Sequence, residues 1–177
     1  MKFEYFNNLY DRIHNNLISN KYKIVIKNKD YYTILELFLE KELVGTIYGA
    51  VSDDVSITPI HSTRNVKSIE QCAININWIC IEKNFRSKGL SYILLLLFIL
   101  LMYKKYNNIE YIVLDDCSDK SQLVKGNLYS KFGFISSDII IPNTNLQFFS
   151  YPEKQTTYSY LYENRNSLEK NILNVLI

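Results

Sequence analysis

Residues 86–105, RSKGLSYILLLLFILLMYKK, carry the pattern from which the fold of this chain is predicted. A short basic segment containing Gly89 leads directly into a run of leucine, isoleucine, phenylalanine and methionine. A helix that crosses a bilayer needs about 20 apolar residues, and the uninterrupted run from Leu90 to Tyr103 is shorter than that. We therefore interpret the run as a buried core helix and the basic segment as the loop that starts it, and we expect no membrane partner.

The composition is that of a globular protein. The chain has 177 residues, of which 47% are hydrophobic, and this suits one domain, residues 1–177, with a sizeable core. The net charge is only +2, and no clustered basic stripe is visible, so we expect no nucleic-acid partner. Cys72, Cys80 and Cys117 are widely spaced and form no CxxC pair, which argues against a disulfide scaffold or a metal site. The N-terminus lacks an apolar signal core, so we expect a cytoplasmic protein.

Hydrophobic periodicity predicts an N-terminal helix followed by a meander of strands. The predicted elements of this half are a helix over residues 3–19, within an N-terminal segment 1–20, and strands at 22–27, 31–40, 43–51 and 72–81, with a turn at Lys41-Glu42 and a long loop at 52–70.

The second half alternates strands with helices. The predicted elements are the core helix at 90–106, a strand at 111–115, a helix ending near Gly133, strands at 134–141 and 155–162, and a C-terminal helix at 165–177. A parallel strand-helix-strand unit inside a meander predicts a mixed α/β sheet.

The loop before the core helix has the features of an anion site. A helix N-terminus presents unpaired backbone N–H groups and a partial positive charge, and phosphate oxygens bind there. Gly89 lets a ligand approach the backbone closely, and Arg86 and Lys88 add positive charge.

Two motifs in this setting resemble those of the GCN5-related N-acetyltransferase (GNAT) superfamily. RSKGLS, residues 86–91, resembles its [Q/R]-x-x-G-x-[G/A] loop, which follows the fourth strand and caps the next helix. NLYSKFGF, residues 127–134, resembles its [L/F]-Y-x-K-x-G-F signature after the fifth strand. The resemblance covers residues 22–163. It implies a GNAT-like acyl-CoA N-acyltransferase fold, a mixed and mostly antiparallel sheet with splayed fourth and fifth strands flanked by helices.

The resemblance also implies an activity, the direct transfer of an acetyl group from acetyl-CoA to a primary amine in a ternary complex. The strand edge formed by Trp78, Ile79, Cys80 and Ile81 would pair with the pantetheine arm. The backbone of the loop would hold the pyrophosphate, and its residues are Arg86, Ser87, Lys88, Gly89, Leu90 and Ser91. Gln122 stands where the family often has an asparagine that contacts pantetheine. Tyr129, a phenol with a pKa of ~10, would protonate the leaving thiolate.

The general base is the main departure from the family pattern. Many members carry a glutamate on the fourth strand, where this chain has only Asn75 and Asn77. We predict Asp115 or Asp116 as the base, because α/β sheets bind ligands at the carboxyl ends of their strands. The alternatives are a water chain or one of the residues Glu36, His61 and Glu82. The missing base leaves a second hypothesis, a catalytically inactive GNAT-fold protein that binds acyl-CoA or acts as a protein-interaction module.

Two further expectations concern partners. A weak base favours an α-amine acceptor, with a pKa of ~7.7–8.0, over a lysine side chain at ~10.4, and small molecules and peptides both remain open as acceptors. Tyr158, Tyr160 and Tyr162 share a strand face and either line the acceptor site or pack on the C-terminal helix. The core helix is apolar all round, so a terminal helix or a second subunit must cover its outer side. The chain is then a monomer or a homodimer.

Overall fold

The computed structural model describes residues 2–52, 73–106, 111–116, 128–132, 135–137, 147–151 and 163–176. The strands are β1 (Tyr22–Lys29), β2 (Tyr32–Leu39), β3 (Glu42–Ser52), β4 (Ala73–Ile81), β5 (Tyr111–Asp116), β6 (Ile135–Ser137) and β7 (Gln147–Tyr151). The α-helices are α1 (Lys2–Ser19), α2 (Leu90–Lys105) and α3 (Arg165–Leu176). All seven strands join one sheet, in the order β1-β2-β3-β4-β5-β7-β6.

The first four strands form the antiparallel meander that the sequence predicts. Tight turns join β1 to β2 and β2 to β3, and Asp30 and Glu40 adopt positive φ angles of 51° and 57° there. The observed boundaries lie within a few residues of the predicted ones. The predicted loop at 52–70 lies almost entirely outside the described residues.

The second half contains the predicted parallel unit, since β4 and β5 pair in parallel and α2 connects them. β7 then inserts between β5 and β6, antiparallel to both. The strand Gln147–Tyr151 was not predicted, because QFFSY is short and lacks a clear alternation of polar and apolar residues. The strand predicted at 155–162 falls outside the described residues.

The core helix is covered by the chain itself. α2 packs on β2, β3 and β4, and both α1 and α3 contact it as well. Leu94, Leu95, Leu96, Leu97 and Phe98 are fully buried as a result. The cover that the apolar sequence demands is therefore intramolecular. No helix in the described ranges is both long and apolar enough to cross a membrane.

A polar contact joins the two covering helices. Glu169 Oε1 on α3 accepts hydrogen bonds from Tyr5 Oη at 2.8 Å and from Arg12 Nη2 at 2.7 Å, both on α1. Burial, together with the hydrogen bond to Glu169, raises the pKa of Tyr5 to about 12. The phenol is therefore held in its protonated, donating form.

Candidate active site

A β-bulge at Asn77 divides β4 into two parts. Tyr48 on β3 pairs with Trp78, whereas the next residue, Gly49, pairs with Ile76, so Asn77 is an extra residue on β4. Bulges bend a strand and increase its twist. The pairing of β4 with β5 ends at the same place, with Ile76 opposite Leu114.

The two strands separate beyond the bulge. The second part of β4, residues 78–81, keeps its pairing with β3 and pairs with no other described strand. Asp115 and Asp116 on β5 pair with β7 instead. This is the splay that the resemblance implies, and it leaves one backbone edge of β4 open.

Two glycines on β3 allow the close approach of β4 on either side of the bulge. A Cβ atom on Gly49 would lie 2.5 Å from the carbonyl oxygen of Asn75, and one on Gly45 would lie 2.8 Å from that of Cys80. Both distances are shorter than any tolerable contact, so the backbone positions depend on glycine. The dependence of this close approach on Gly45 and Gly49 was not predicted, because nothing in the sequence pattern distinguishes them from ordinary strand residues.

The loop after β4 is built around two residues in left-handed conformations. A short 3-10 helix, Lys83–Phe85, buries Phe85 and leads to Arg86. Ser87 and Gly89 then have φ angles of 65° and 75°, and Gly89 is the N-cap of α2. A left-handed conformation at a residue other than glycine costs on the order of 1–3 kcal/mol, so Ser87 holds local strain of the kind that clusters at ligand sites.

The left-handed turns leave a run of backbone donors unpaired. The first bonds of α2 run from the N–H groups of Tyr92 and Ile93 to the carbonyl oxygen of Gly89, at 3.0 and 3.4 Å. Within the described part of the chain, the N–H groups from Ser87 to Ser91 donate to no acceptor. The backbone N–H of Arg86 was also predicted to be among the phosphate donors. In the structure this N–H donates to the carbonyl oxygen of Lys83 at 3.4 Å, so it is already paired.

The surroundings of these donors are positively charged. Lys83, Arg86 and Lys88 are exposed and form no ion pair with a described residue. Lys88 Nζ lies 5.3 Å from the centroid of the Phe85 ring. Five consecutive N–H groups that have no acceptor in the described structure, at a helix N-terminus beside three cations, are an arrangement suited to a phosphate-bearing anion. We call these five residues, 87–91, the anion loop.

Tyr129 lies on a 3-10 helix, Tyr129–Phe132, and not on the α-helix that the sequence predicts for this segment. The preceding residues, 117–127, are outside the described ranges. The rings of Phe132 and Tyr92 are 4.5 Å apart between centroids, so the 3-10 helix adjoins the first turn of α2. Residues three apart in a 3-10 helix lie on the same side, which puts Tyr129 on the side of Phe132. Tyr129 is 8% exposed.

The candidate bases lie in different parts of the structure. Asp115 and Asp116 end β5 just beyond its separation from β4, at the expected carboxyl end of the strand. Glu82 is exposed at the end of β4. Glu36 on β2 accepts a hydrogen bond from Lys27 Nζ at 2.8 Å, so its negative charge is already balanced. It also lies two strands away from β4. His61, Gln122, Tyr158, Tyr160 and Tyr162 lie outside the described residues.

No protein-family profile and no curated protein matches the chain. Many solved structures do resemble it. A bacterial toxin superposes with a TM-score of 0.56, over 74% of this chain and 72% of that chain, at 12% sequence identity.

The chain has the fold that the GNAT-like motifs imply, a mostly antiparallel sheet whose one parallel pair, β4 and β5, separates after the bulge at Asn77. A GNAT-family acetyltransferase from Streptococcus pneumoniae matches with a TM-score of 0.47, at 16% identity, over 71% of this chain and 68% of that chain. An acetyltransferase from Thermus thermophilus matches with a TM-score of 0.45, at 11% identity, over 70% of this chain. The chain spans 66% of the length of the Thermus protein, slightly less than two thirds. At such identities the likeness concerns the fold and not the reaction.

Within this GNAT fold, the two halves of the candidate site are continuous. β4 supplies an unpaired backbone edge up to Ile81, and the anion loop follows after a single 3-10 turn. Arg86 Nε donates a hydrogen bond of 2.8 Å to the carbonyl oxygen of Ile81 and ties the loop to the strand end. An extended ligand with a phosphate group at one end matches this arrangement, with its extended part along the β4 edge and its phosphate at the anion loop.

Proposed function

We propose that this protein is an acetyl-CoA-dependent N-acetyltransferase that transfers the acetyl group directly to a primary amine in a ternary complex. The observation that carries the proposal is the anion loop, placed directly after the unpaired edge of β4. Acetyl-CoA combines a pyrophosphate with an extended, amide-containing arm, and these are the two chemical groups for which the site has donors and acceptors.

The chain's own residues would hold the two parts of the coenzyme differently. The N–H groups of the anion loop would donate to the pyrophosphate oxygens, and Lys83, Arg86 and Lys88 would supply the countercharge. The free backbone edge from Trp78 to Ile81 would pair with the amides of the pantetheine arm, as an added strand pairs with a sheet edge. Gln122 would bind the same arm through its side-chain amide.

When bound, acetyl-CoA supplies an activated thioester, and the remaining chemistry is proton transfer. Asp115 or Asp116, directly or through water, would accept the proton that the acceptor amine must lose before it attacks. Tyr129 would donate a proton to the sulfur that leaves. Asp115 and Asp116 are proposed for their role because they end β5, and Tyr129 because its 3-10 helix adjoins the first turn of α2.

The acceptor follows from the weakness of the base. β4 carries no carboxylate, so removal of a proton from a lysine side chain is harder here than removal from an α-amine, whose pKa is lower by more than ~2 units. We expect peptides with a free N-terminus and blocked lysines to be acetylated faster than peptides with a blocked N-terminus and free lysines. The reverse order would contradict this choice of acceptor.

The absence of a carboxylate on β4 also supports a second candidate function, an acyl-CoA-binding or protein-interaction module without catalysis. Isothermal titration with acetyl-CoA, followed by a thiol-release assay over a panel of amines, separates the two. Binding with turnover on at least one amine supports the transferase. Binding without turnover on any amine supports the module, and failure to bind overturns both.

A pair of variants tests the anion loop itself. Gly89→Val places a β-branched residue at a φ of 75° and crowds the donors, and we expect acetyl-CoA affinity to fall at least tenfold. Ser87→Gly is the matched control, because glycine adopts the left-handed conformation of Ser87 without strain and keeps the N–H group. Its affinity should stay within a factor of two of the original protein.

A further inference from the structure

The sheet face opposite the α-helices is uncovered in the part of the chain that the structure describes. α1 and α2 pack on the sheet directly, and α3 packs on those two helices. On β2, Leu35 and Leu37 are fully buried beneath them. Because side chains alternate along a strand, Ile34 and Glu36 lie on the opposite face, and both are only partly buried.

Three aromatic residues lie side by side on this open face. The strand register puts Trp78 on β4 next to Tyr48 on β3. The Tyr48 ring lies 5.9 Å from that of Tyr32 on β2, at 80° to it. Trp78 is 55% exposed and Tyr32 is 42% exposed. A cluster of large exposed aromatic rings marks a binding surface rather than a core.

The aromatic rings are not occupied by the chain's own cations. Lysine or arginine groups lie over other rings in the described structure, as Lys104 does over Tyr10. None lies over Trp78, Tyr48 or Tyr32 within the same described ranges. No cation of the described ranges therefore competes with a ligand for these π faces.

A row of lysines borders the aromatic residues. Lys23, Lys27 and Lys29 alternate along β1, so all three lie on the open face. Lys29 is directly opposite Tyr32. Glu36 is the carboxylate that the described strands β1–β4 place on this face, and it pairs with Lys27. Across β1–β4 this face is therefore net positive, a clustering that a chain-wide charge of +2 does not reveal.

We propose that this surface, defined by Trp78, Tyr48, Tyr32, Lys27 and Lys29, binds single-stranded nucleic acid. Unpaired bases stack on exposed aromatic side chains, and lysines neutralise the phosphates. Strands lie about 4.8 Å apart, so the aromatic residues on β2, β3 and β4 extend over roughly 10 Å, which is room for two or three bases. β1 then supplies the lysines at one side of the stacked bases.

The proposal goes beyond the proposed acetyl transfer and stands independently of it. The coenzyme would use the backbone edge of β4 and the anion loop, whereas the nucleic acid would use side chains on the open face. Lys29→Gln, on β1 and outside the coenzyme site, should therefore weaken nucleic-acid binding and leave acetyl-CoA binding unchanged, so the two proposals can fail separately.

Trp78 provides a direct probe, because it is the only tryptophan in the chain. A stacked base quenches indole fluorescence. We expect a short oligouridylate to quench Trp78 saturably at low ionic strength, and added salt to reverse the quenching. Sodium polyphosphate, which has the charge but no bases, should compete for the lysines without quenching. No quenching by the oligonucleotide overturns the proposal.

Variants assign the binding to this face. Trp78→Leu should weaken binding of a fluorescein-labelled oligouridylate roughly tenfold, within the range known for loss of one stacking ring. For Lys29→Gln, affinity should depend less on salt. The plot of log affinity against log salt concentration should become less steep by about 0.7, the change expected for one lost phosphate contact with a single strand. Lys41→Gln is the matched control. Lys41 is also exposed, but it lies in the turn between β2 and β3, at the opposite end of the strands from Lys29. Its slope should not change.

Three results would overturn the proposal, the first two by assigning the surface to another partner and the third by placing the nucleic-acid site elsewhere. The first is quenching by phosphatidylserine vesicles with no response to the oligonucleotide. The second is self-association, seen as a dimer in sedimentation that Trp78→Arg converts to a monomer. The third is oligonucleotide binding that survives both Trp78→Leu and Lys29→Gln, with thermal unfolding confirming that both variants fold.

Discussion

Arg86 Nε donates a hydrogen bond of 2.8 Å to the carbonyl oxygen of Ile81, the last residue of β4. The bond spans the 3-10 turn and fixes the start of the anion loop against the strand from which it emerges. We therefore propose two tasks for the arginine: its Nε–H shapes the loop, and its positive charge would attract the anion.

Variants at Arg86 separate these two tasks. Lysine keeps the charge but has no Nε–H at the required position, and glutamine removes the charge as well. We expect Arg86→Lys to weaken acetyl-CoA binding about fivefold and Arg86→Gln more than tenfold, measured by isothermal titration. Affinity for Arg86→Lys equal to that of the original protein would show that only the charge matters. Lys21→Gln, a charge change in the turn before β1, is the control.

Gly49 should be the most sensitive position on β3. A methyl group there would lie 2.5 Å from the carbonyl oxygen of Asn75 and 3.2 Å from the Phe98 ring, so the backbone beside the bulge must shift. We expect Gly49→Ala to lower the free energy of unfolding by about 2 kcal/mol or more in urea titrations. Ala50→Gly, the neighbouring change in the opposite direction, should cost only about 0.5–1 kcal/mol. Equal losses for the two variants would refute the close approach at Gly49.

The contact between α1 and α3 should make stability depend on alkaline pH. The pKa of Tyr5 is raised to about 12 by burial and by Glu169, whereas that of an unfolded tyrosine is 10.0. Between these values the folded state binds more protons than the unfolded state, so the free energy of unfolding falls as pH rises. We expect the urea midpoint to decline between pH 10 and 12, and less steeply in Tyr5→Phe. Tyr31→Phe, at a residue that is 84% exposed, should keep the original slope.

The apolar core helix depends on α3 for part of its cover. Leu168 and Ile172 on α3 are buried, and truncation of buried leucine to alanine typically costs about 2–5 kcal/mol. We expect Leu168→Ala to lower stability by that amount and to increase binding of the dye ANS as α2 becomes accessible. Lys170→Ala, at an exposed residue of the same helix, should change neither value. Unchanged ANS binding in Leu168→Ala would argue against α3 as the cover.

The sequence predicted those parts of the fold that depend on local pattern. The alternation in residues 22–51 and 72–81 and the apolar run from Leu90 fix the meander and the core helix, and both are confirmed. The strand Gln147–Tyr151 was missed because its place depends on pairing with β5 and β6, which are distant in sequence. Tertiary pairing of this kind leaves little trace in a five-residue segment.

The candidate site was predictable only in part, for the same reason. The motif RSKGLS identified the anion loop, but nothing in it indicated the strained φ of Ser87 or the hydrogen bond of Arg86 to Ile81. The bulge at Asn77 arises from the register of two strands, and so does the grouping of Trp78 with Tyr48. The roles of Tyr129, Asp115 and Asp116 stay predictions.

Amide hydrogen exchange with and without acetyl-CoA reports on each backbone donor of the anion loop. The N–H groups of Ser87 to Ser91 have no acceptor in the described structure and should exchange rapidly in the free protein. Bound pyrophosphate would accept their hydrogen bonds, so we predict strong protection of these amides by acetyl-CoA and no change in the β1–β2 hairpin. Acetyl-CoA binding that leaves residues 87–91 unprotected would contradict the account.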